Sequence, residues 1–526
     1  KNIKGQLLNQ DVDIDIYPKG ESTILTAEGV LVSSSLPKTF PNFITGQFPY
    51  LLDVIISEQN IGDFYVDASI VSNMQGAEIE LPGSFYKAAE KNREIKVTLK
   101  QSNNNPSINI NYDDIVNVEY ESQENERLFD NSRLNIMTSE FDVEMWLLWY
   151  ETYNIDDTSG SSVERVAIET EKLIGYGQQF PNIKIVAVKE RKNWLVSIVG
   201  QAIEGVLSVP KVITKRDILK VDIKRLNLVL PKKNNIEGNV GKQHTLWPSM
   251  SINVDELIID DIALGTLDLI SHNDTNKWVI DSANITSELY NLKVSEGVWH
   301  QSTLGAKTEL AFRIDSHNFT NLIEKFGFEP RVEAEKFKLL TSLSWEGGPT
   351  AISEEAAKGT ISFKLEKGEL KDVEPGPAGR AFGLLSVATI QRRLSLDFNE
   401  LFAQGFSYRT IKASFEINEG LAMTKDFSLK GGSADILIEG TVDLVNQQYN
   451  QKVKVRPNVS STLPLAGAVA AGPIGLGVGT AILLADKLAG RLFDKDIVNL
   501  ISYDYLLTGT WQEPDLKMIK PFLPSL

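Results

Sequence analysis

A chain of 526 residues with 42% hydrophobic and 23% charged residues has material for a large folded core and is not a disordered polymer. Its formal net charge of −17 argues against a nucleic-acid partner and against a general electrostatic grip on anionic membranes. It contains no cysteine, which excludes disulfides, thiolate metal sites and a cysteine nucleophile and suits an oxidising compartment.

The first residue is Lys1 rather than Met, so the chain reads as a processed form or a piece whose targeting segment lies outside it. From there the dominant pattern has a period of two, as in strands with one buried face. Asp11-Val12-Asp13-Ile14-Asp15-Ile16 opens it, and Ile95-Lys96-Val97-Thr98-Leu99 continues it. Phe337-Lys338-Leu339 and Thr360 to Leu365 follow, then Ser414 to Ile417, Asp435 to Glu439 and Gln451 to Val455. Turn signals punctuate the runs: Pro18-Lys19-Gly20, Glu346-Gly347-Gly348-Pro349, Glu366-Lys367-Gly368 and Asn418-Glu419-Gly420. The expected fold is all-β and mainly antiparallel, with a few short helices.

Helical signals are sparse. Asn318 is placed to cap a turn through Leu322, Ile323 and Phe326 that ends at Gly327. Residues 379–393 and 480–492 carry two further short helical patterns. Residues 102–107 read as a hairpin tip and 120–133 as an acidic solvated loop. The polar, Lys- and Asn-containing stretch 231–243 marks the expected boundary between two halves. Strands of ordinary length would number roughly 35, too many for one closed soluble barrel. Several sandwiches or one long curved sheet are the two solutions left open.

Motifs of catalysis and metal binding fail one by one. His244, His272, His300 and His317 are scattered and read as surface or hydrogen-bonding residues. Asp11, Asp13 and Asp15 imitate a calcium loop, but Ile16 stands where that loop needs Gly and Ser22 where it needs Glu. They read instead as the solvent face of a strand. Gly431-Gly432-Ser433 lacks the second Gly of a nucleophile elbow, and Gly475-Leu476-Gly477-Val478-Gly479 lacks the Lys of a phosphate loop. No catalytic residue, metal ligand or cofactor is assigned, and the chain is not read as an enzyme.

Residues 459–485 carry no charge, yet five glycines and two prolines weaken a continuous helix. Two readings stay open: an apolar cap on the sheet, or a membrane-contacting tip using Leu463, Leu465, Val469, Ile474, Leu476, Ile482, Leu483 and Leu484. The second apolar knot, Met145-Trp146-Leu147-Leu148-Trp149-Tyr150, reads as a buried strand, with interfacial anchoring as the alternative.

Residues from about 330 to 515 carry a specific combination of motifs. It includes Leu343-Ser344-Trp345, Val373-Glu374-Pro375-Gly376, Gly383-Leu384-Leu385-Ser386 and Arg392 to Phe398. Gly440-Thr441-Val442-Asp443-Leu444, Ser461-Thr462-Leu463-Pro464 and Gly509-Thr510-Trp511 complete it. Weaker echoes occur at Ser72 to Gly76, Leu81-Pro82 and Lys87, and at Trp247-Pro248. In these residues the chain resembles the C-terminal region of the YhdP family, within the AsmA-like superfamily of Gram-negative envelope proteins.

The resemblance implies a long curved β-sheet whose hydrophobic groove carries phospholipid between inner and outer membranes. It also implies periplasmic residence, with anchorage to the inner membrane by an N-terminal helix outside this chain and other envelope proteins as partners. On that view the groove is lined by Ile252 and Val254; Phe337, Leu339 and Leu343; and Ile361, Phe363 and Leu365. Phe415 and Ile417, Ile436 and Ile438, and Val453 and Val455 extend it. Alternation by itself equally allows a closed sandwich core, and a scaffold without lipid is the alternative function. The expected organisation is 1–230 and 231–456 as successive β regions, with 457–526 as an apolar cap or membrane-contacting segment plus a final strand.

Overall fold

In the computed structural model, the described residues are 2–7, 10–36, 43–60, 63–101, 106–121, 132–153, 163–211, 217–230, 247–302, 305–371, 406–432, 434–458 and 502–522. They form 28 strands and two short α-helices. The chain divides into two compact units, Lys1–Val229 and Leu230–Leu526. The expected helices at 379–393 and 480–492, the 231–243 stretch and all eight candidate membrane-contact residues lie outside the described residues.

The first unit opens with β1 (Asn2–Leu7), β2 (Gln10–Lys19), β3 (Ser22–Val32), β4 (Ile44–Asn60) and β5 (Asp63–Ser72). The short β6 (Ala77–Ile79) is followed by β7 (Ile95–Gln101), β8 (Pro106–Tyr112), β9 (Val116–Glu121) and β10 (Ser132–Asp142). Helix α1 (Val143–Tyr153) leads to β11 (Val163–Gly175), β12 (Gln178–Lys189), β13 (Asn193–Val199), β14 (Ile203–Pro210) and β15 (Leu219–Leu228). Sequence neighbours pair antiparallel, except that β6 pairs with β4, so that β5 pairs with β7, and that one pair is parallel. β10 and β11 are parallel, and α1 is the crossover between them.

That crossover corrects the sequence expectation for Met145 to Tyr150, which form helix rather than strand. The physical reason is topological: a tight turn can only return a chain antiparallel, so a parallel neighbour needs a longer connection, usually helical. The reading of the first acidic run holds. β2 turns Val12, Ile14 and Ile16 to one side and exposes Asp11, Asp13 and Asp15 on the other.

The second unit comprises β16 (Met250–Ile259), β17 (Ile262–Asp274), β18 (Lys277–Thr286), β19 (Tyr290–Ser302) and β20 (Gly305–Ser316). Helix α2 (Phe319–Lys325) precedes β21 (Lys336–Glu346), β22 (Lys358–Leu370), β23 (Phe406–Asn418) and β24 (Leu421–Gly431). β25 (Ala434–Asp443), β26 (Gln448–Pro457), β27 (Ser502–Thr510) and β28 (Pro514–Phe522) complete it. Each described strand pairs antiparallel with its sequence neighbour from β16 to β28. No described pairing closes the series into a barrel.

Asn318 caps α2 as its sequence predicts: its side chain accepts a hydrogen bond from Asn321 N at 3.0 Å, and Gly327 ends the turn at φ +79°. Asn418-Glu419-Gly420 also turns as expected, with Glu419 at φ +48° and Gly420 at φ +78° between β23 and β24. Glu366-Lys367-Gly368 does not turn. It lies inside β22, where Lys367 takes φ +51° and the backbone of Glu333 packs so close to Gly368 that a Cβ would overlap it. The same Gly signal therefore marks a close backbone approach within a strand.

Candidate functional site

Because side chains alternate along a strand, register decides which apolar residues share a face. In the first unit one row runs Leu52, Ile70, Val97, Ile110, Val118, Ile136, Ile168, Ile185 and Ile198, each residue directly opposite the next. Every member is aliphatic and every member is half-buried. The row one residue along begins Asp53, Ser69, Thr98, Asn109, Glu119 and Asn135 on the other face. One side of this sheet thus carries an unbroken apolar row, backed over most of its width by a polar one.

The second unit repeats the arrangement. Val254, Leu267, Ile285, Leu292, Ile314, Leu339 and Phe363 stand opposite one another in turn. From Leu267 to Phe363 they are half-buried. The face behind begins Asp268, Asn284, Lys293 and Arg313.

Register places all the candidate lining residues of this unit on one face, and burial then divides them. Ile252, Phe337, Leu339, Leu343, Ile361 and Phe363 are half-buried. Val254, Leu365, Phe415, Ile417, Ile436, Ile438, Val453 and Val455 are sealed, none more than 3% exposed. The seven sealed residues from Leu365 onward belong to one close-packed cluster with Leu429, Val442 and Tyr505, on which Phe319 and Ile323 of α2 also pack. Ile361 stands opposite Phe415, which lies 6.3 Å ring to ring from Phe363, so the open and the sealed parts are continuous.

Sequence reasoning left the lining of the first unit unassigned. Its signal was present in Ile95 to Leu99 and in Ile108-Asn109-Ile110-Asn111-Tyr112, both strictly alternating. What the sequence lacked was the partner register that aligns such runs across nine strands.

Each apolar face has furnished ends. In the first unit α1 sets Trp146 on Phe141 (5.7 Å, stacked) and Phe85 (5.4 Å, edge-on). Trp149 packs on Phe43 at 6.1 Å, and its indole N–H donates to Glu80 O at 2.8 Å. Beside them Lys87 is 1% exposed, with Nζ donating to Ala77 O at 2.6 Å and Ala88 O at 3.1 Å. Burial, helped by Arg93, holds its pKa below the usual lysine value. In the second unit Trp247 packs edge-on against Trp278 (5.0 Å) and Trp299 (5.7 Å) at one end, while Phe319 of α2 meets Phe337 (4.8 Å) at the other.

The histidine–carboxylate pairs lie at partly exposed positions. His272 Nδ1 lies 2.9 Å from both Asp281 carboxylate oxygens, and His300 Nε2 lies 3.8 Å from Glu309. Among the described residues no group of three or more His, Asp or Glu is arranged to hold a metal ion. No described helix is long and apolar enough to cross a membrane.

A family model described as YhdP protein matches residues 1–516. The intermembrane phospholipid transporter YhdP of Escherichia coli (strain K12) is 30% identical over 225 residues. That region is 43% of this chain and 17% of that relative, so the match spans less than a fifth of the relative's length. No solved structure matches.

Proposed function

The chain belongs to the YhdP family, and from that premise we propose that its half-buried apolar faces hold the acyl chains of phospholipid on the way between the two membranes of the cell envelope. The observation that carries this reading is the row from Leu52 to Ile198, aliphatic and half-buried on nine strands in succession. A finished core buries such side chains almost completely, as the sealed cluster around Phe415 does. A contiguous face left half-covered retains apolar area worth about 25 cal/mol per Å² to whatever covers it. Acyl chains suit that need because they demand no directional partner.

The lining is assigned to the half-buried set, with Leu339, Ile361 and Phe363 among the candidates named from sequence and Leu267, Ile285, Leu292 and Ile314 added by register. The sealed residues are assigned to the core that supports it. The same reading places the protein in the periplasm, anchored to the inner membrane. It also gives the uncharged 459–485 stretch to outer-membrane contact and allows for other envelope proteins as partners. No bond is made or broken in such a role, and no cofactor is invoked.

A scaffold that supports outer-membrane assembly without carrying lipid is the second reading, and the sealed cluster of β22 to β27 favours it locally. Native mass spectrometry of the purified chain separates them. Co-purified phospholipid is expected, and Leu339→Asp should lower its amount while leaving the circular dichroism and monomer mass unchanged. If Leu339→Asp instead unfolds the chain, as a charge in a closed core would, the face is not open and the scaffold reading takes its place.

A further inference from the structure

We propose that the tryptophan end of the second unit's apolar face seats the glycerol–phosphate end of a bound phospholipid, with Trp299 Nε1 donating a hydrogen bond to one of its oxygens. This rests on the lipid-holding reading above and adds an orientation to it. Three of the four indoles share the lining face by register: Trp278 stands opposite Trp299, Trp299 opposite Thr308, and Thr308 opposite Trp345. Trp247 covers the first two edge-on.

Their N–H groups differ. Trp278 donates to Pro248 O at 3.2 Å and Trp345 to Gly348 O at 2.9 Å. Trp299 is 4% exposed, and its N–H has no acceptor among the described residues. Native structures leave few buried donors unmatched. Gly348 lies against that edge of the ring: a Cβ there would stand 3.9 Å from Cε2 and 4.0 Å from Nε1.

The opposite end is aromatic, and its tyrosine hydroxyl is already engaged. There Phe319 packs on Phe337, and the Tyr290 hydroxyl is committed to Leu264 O at 2.9 Å. Between the ends lie half-buried Leu292, Ile314 and Leu339. Seven residues separate Leu292 from Trp299, a run of about 23 Å at the rise of a strand. The hydrocarbon of one bilayer leaflet is about 15 Å deep. A chain lying along the strands therefore fits, with room left for its glycerol. Indole rings also favour the level of a membrane where chain meets headgroup, because they pair an apolar body with one polar N–H.

The test loads the 526-residue chain from phosphatidylcholine vesicles whose chains carry bromine either close to the ester or near the methyl end. The Trp299 contribution to fluorescence quenching is taken as wild type minus Trp299→Phe. Stronger quenching by ester-proximal bromine is expected; equal or reversed quenching overturns the orientation. Trp299→Phe should bind phosphatidylcholine about fivefold more weakly, the loss of one neutral hydrogen bond, and unchanged affinity overturns the contact. Gly348→Ala, which leaves every ring in place, should weaken binding in the same direction, so a fold defect in Trp299→Phe cannot imitate the result. Ether-linked phosphatidylcholine identifies the acceptor: weakened binding assigns an ester carbonyl, and unchanged binding alongside a weak Trp299→Phe assigns phosphate. If wild type binds no lipid, this proposal and the conduit reading both fail; lipid bound without the quenching difference removes only this one.

Discussion

Tyr503 shows how burial at a single residue becomes a dependence on pH. It is 4% exposed within the sealed cluster, and burial pushes its hydroxyl up to about 12 from the ordinary 10.0. Between those values the folded chain holds a proton that the unfolded chain has released. Its contribution to stability is therefore complete below pH 10 and is lost as pH rises toward 12. Titrating tyrosine absorbance should show a late component near pH 12 that is absent in Tyr503→Phe. Retention of that component would place the late group elsewhere. Lys87 has the opposite sign: its lowered pKa means that the folded state gains stability as pH rises through the window just below 10.5.

At the scale of elements, α1 exists because β10 and β11 are parallel, and it stays in place through two tryptophans three residues apart. Trp146 touches both Phe85 and Phe141, which belong to segments far apart in sequence. Trp146→Ala is expected to cost about 2 kcal/mol, below the 3–5 typical of a fully buried aromatic because this ring is half-buried. Urea unfolding followed by circular dichroism measures it. A variant with an unshifted midpoint would mean that the helix rests on the strands without stabilising them. The outer side of α1 keeps Met145, Leu147 and Leu148 exposed. Its hydrophobic residues are thus not confined to the packed side, which is why a strand was the simpler sequence reading.

For the molecule as a whole, the important contrast is between apolar residues of the same pattern that meet different surroundings. Leu339 of β21 and Phe415 of β23 both sit in alternating strands on one face, with β22 between them. Phe415 is 1% exposed and packed in the large cluster, whereas Leu339 is half-buried and outside it. Phe415→Ala should therefore lower stability by about 3–5 kcal/mol and Leu339→Ala by about 1 kcal/mol in lipid-free protein. Denaturant midpoints compare the two directly. Equal losses would mean that the face around Leu339 is as closed as the core.

The alternation of β2, β7, β23 and β26, the Asn318 cap and the Glu419-Gly420 turn were legible in the sequence, because each depends on a few neighbouring residues and on the fixed geometry of a strand or a helix end. The all-β, mainly antiparallel class follows from the same local rules applied many times. Three features could not be read that way. The parallel β10–β11 pair depends on a partner reached through α1, the Glu366-Lys367-Gly368 signal became a close approach only because Glu333 lies beside it, and the rows of the first unit exist only in register. Which apolar residues are sealed and which stand half-open is likewise a property of what packs over them. Alternation assigns a side chain to a face; only the tertiary structure decides what covers that face.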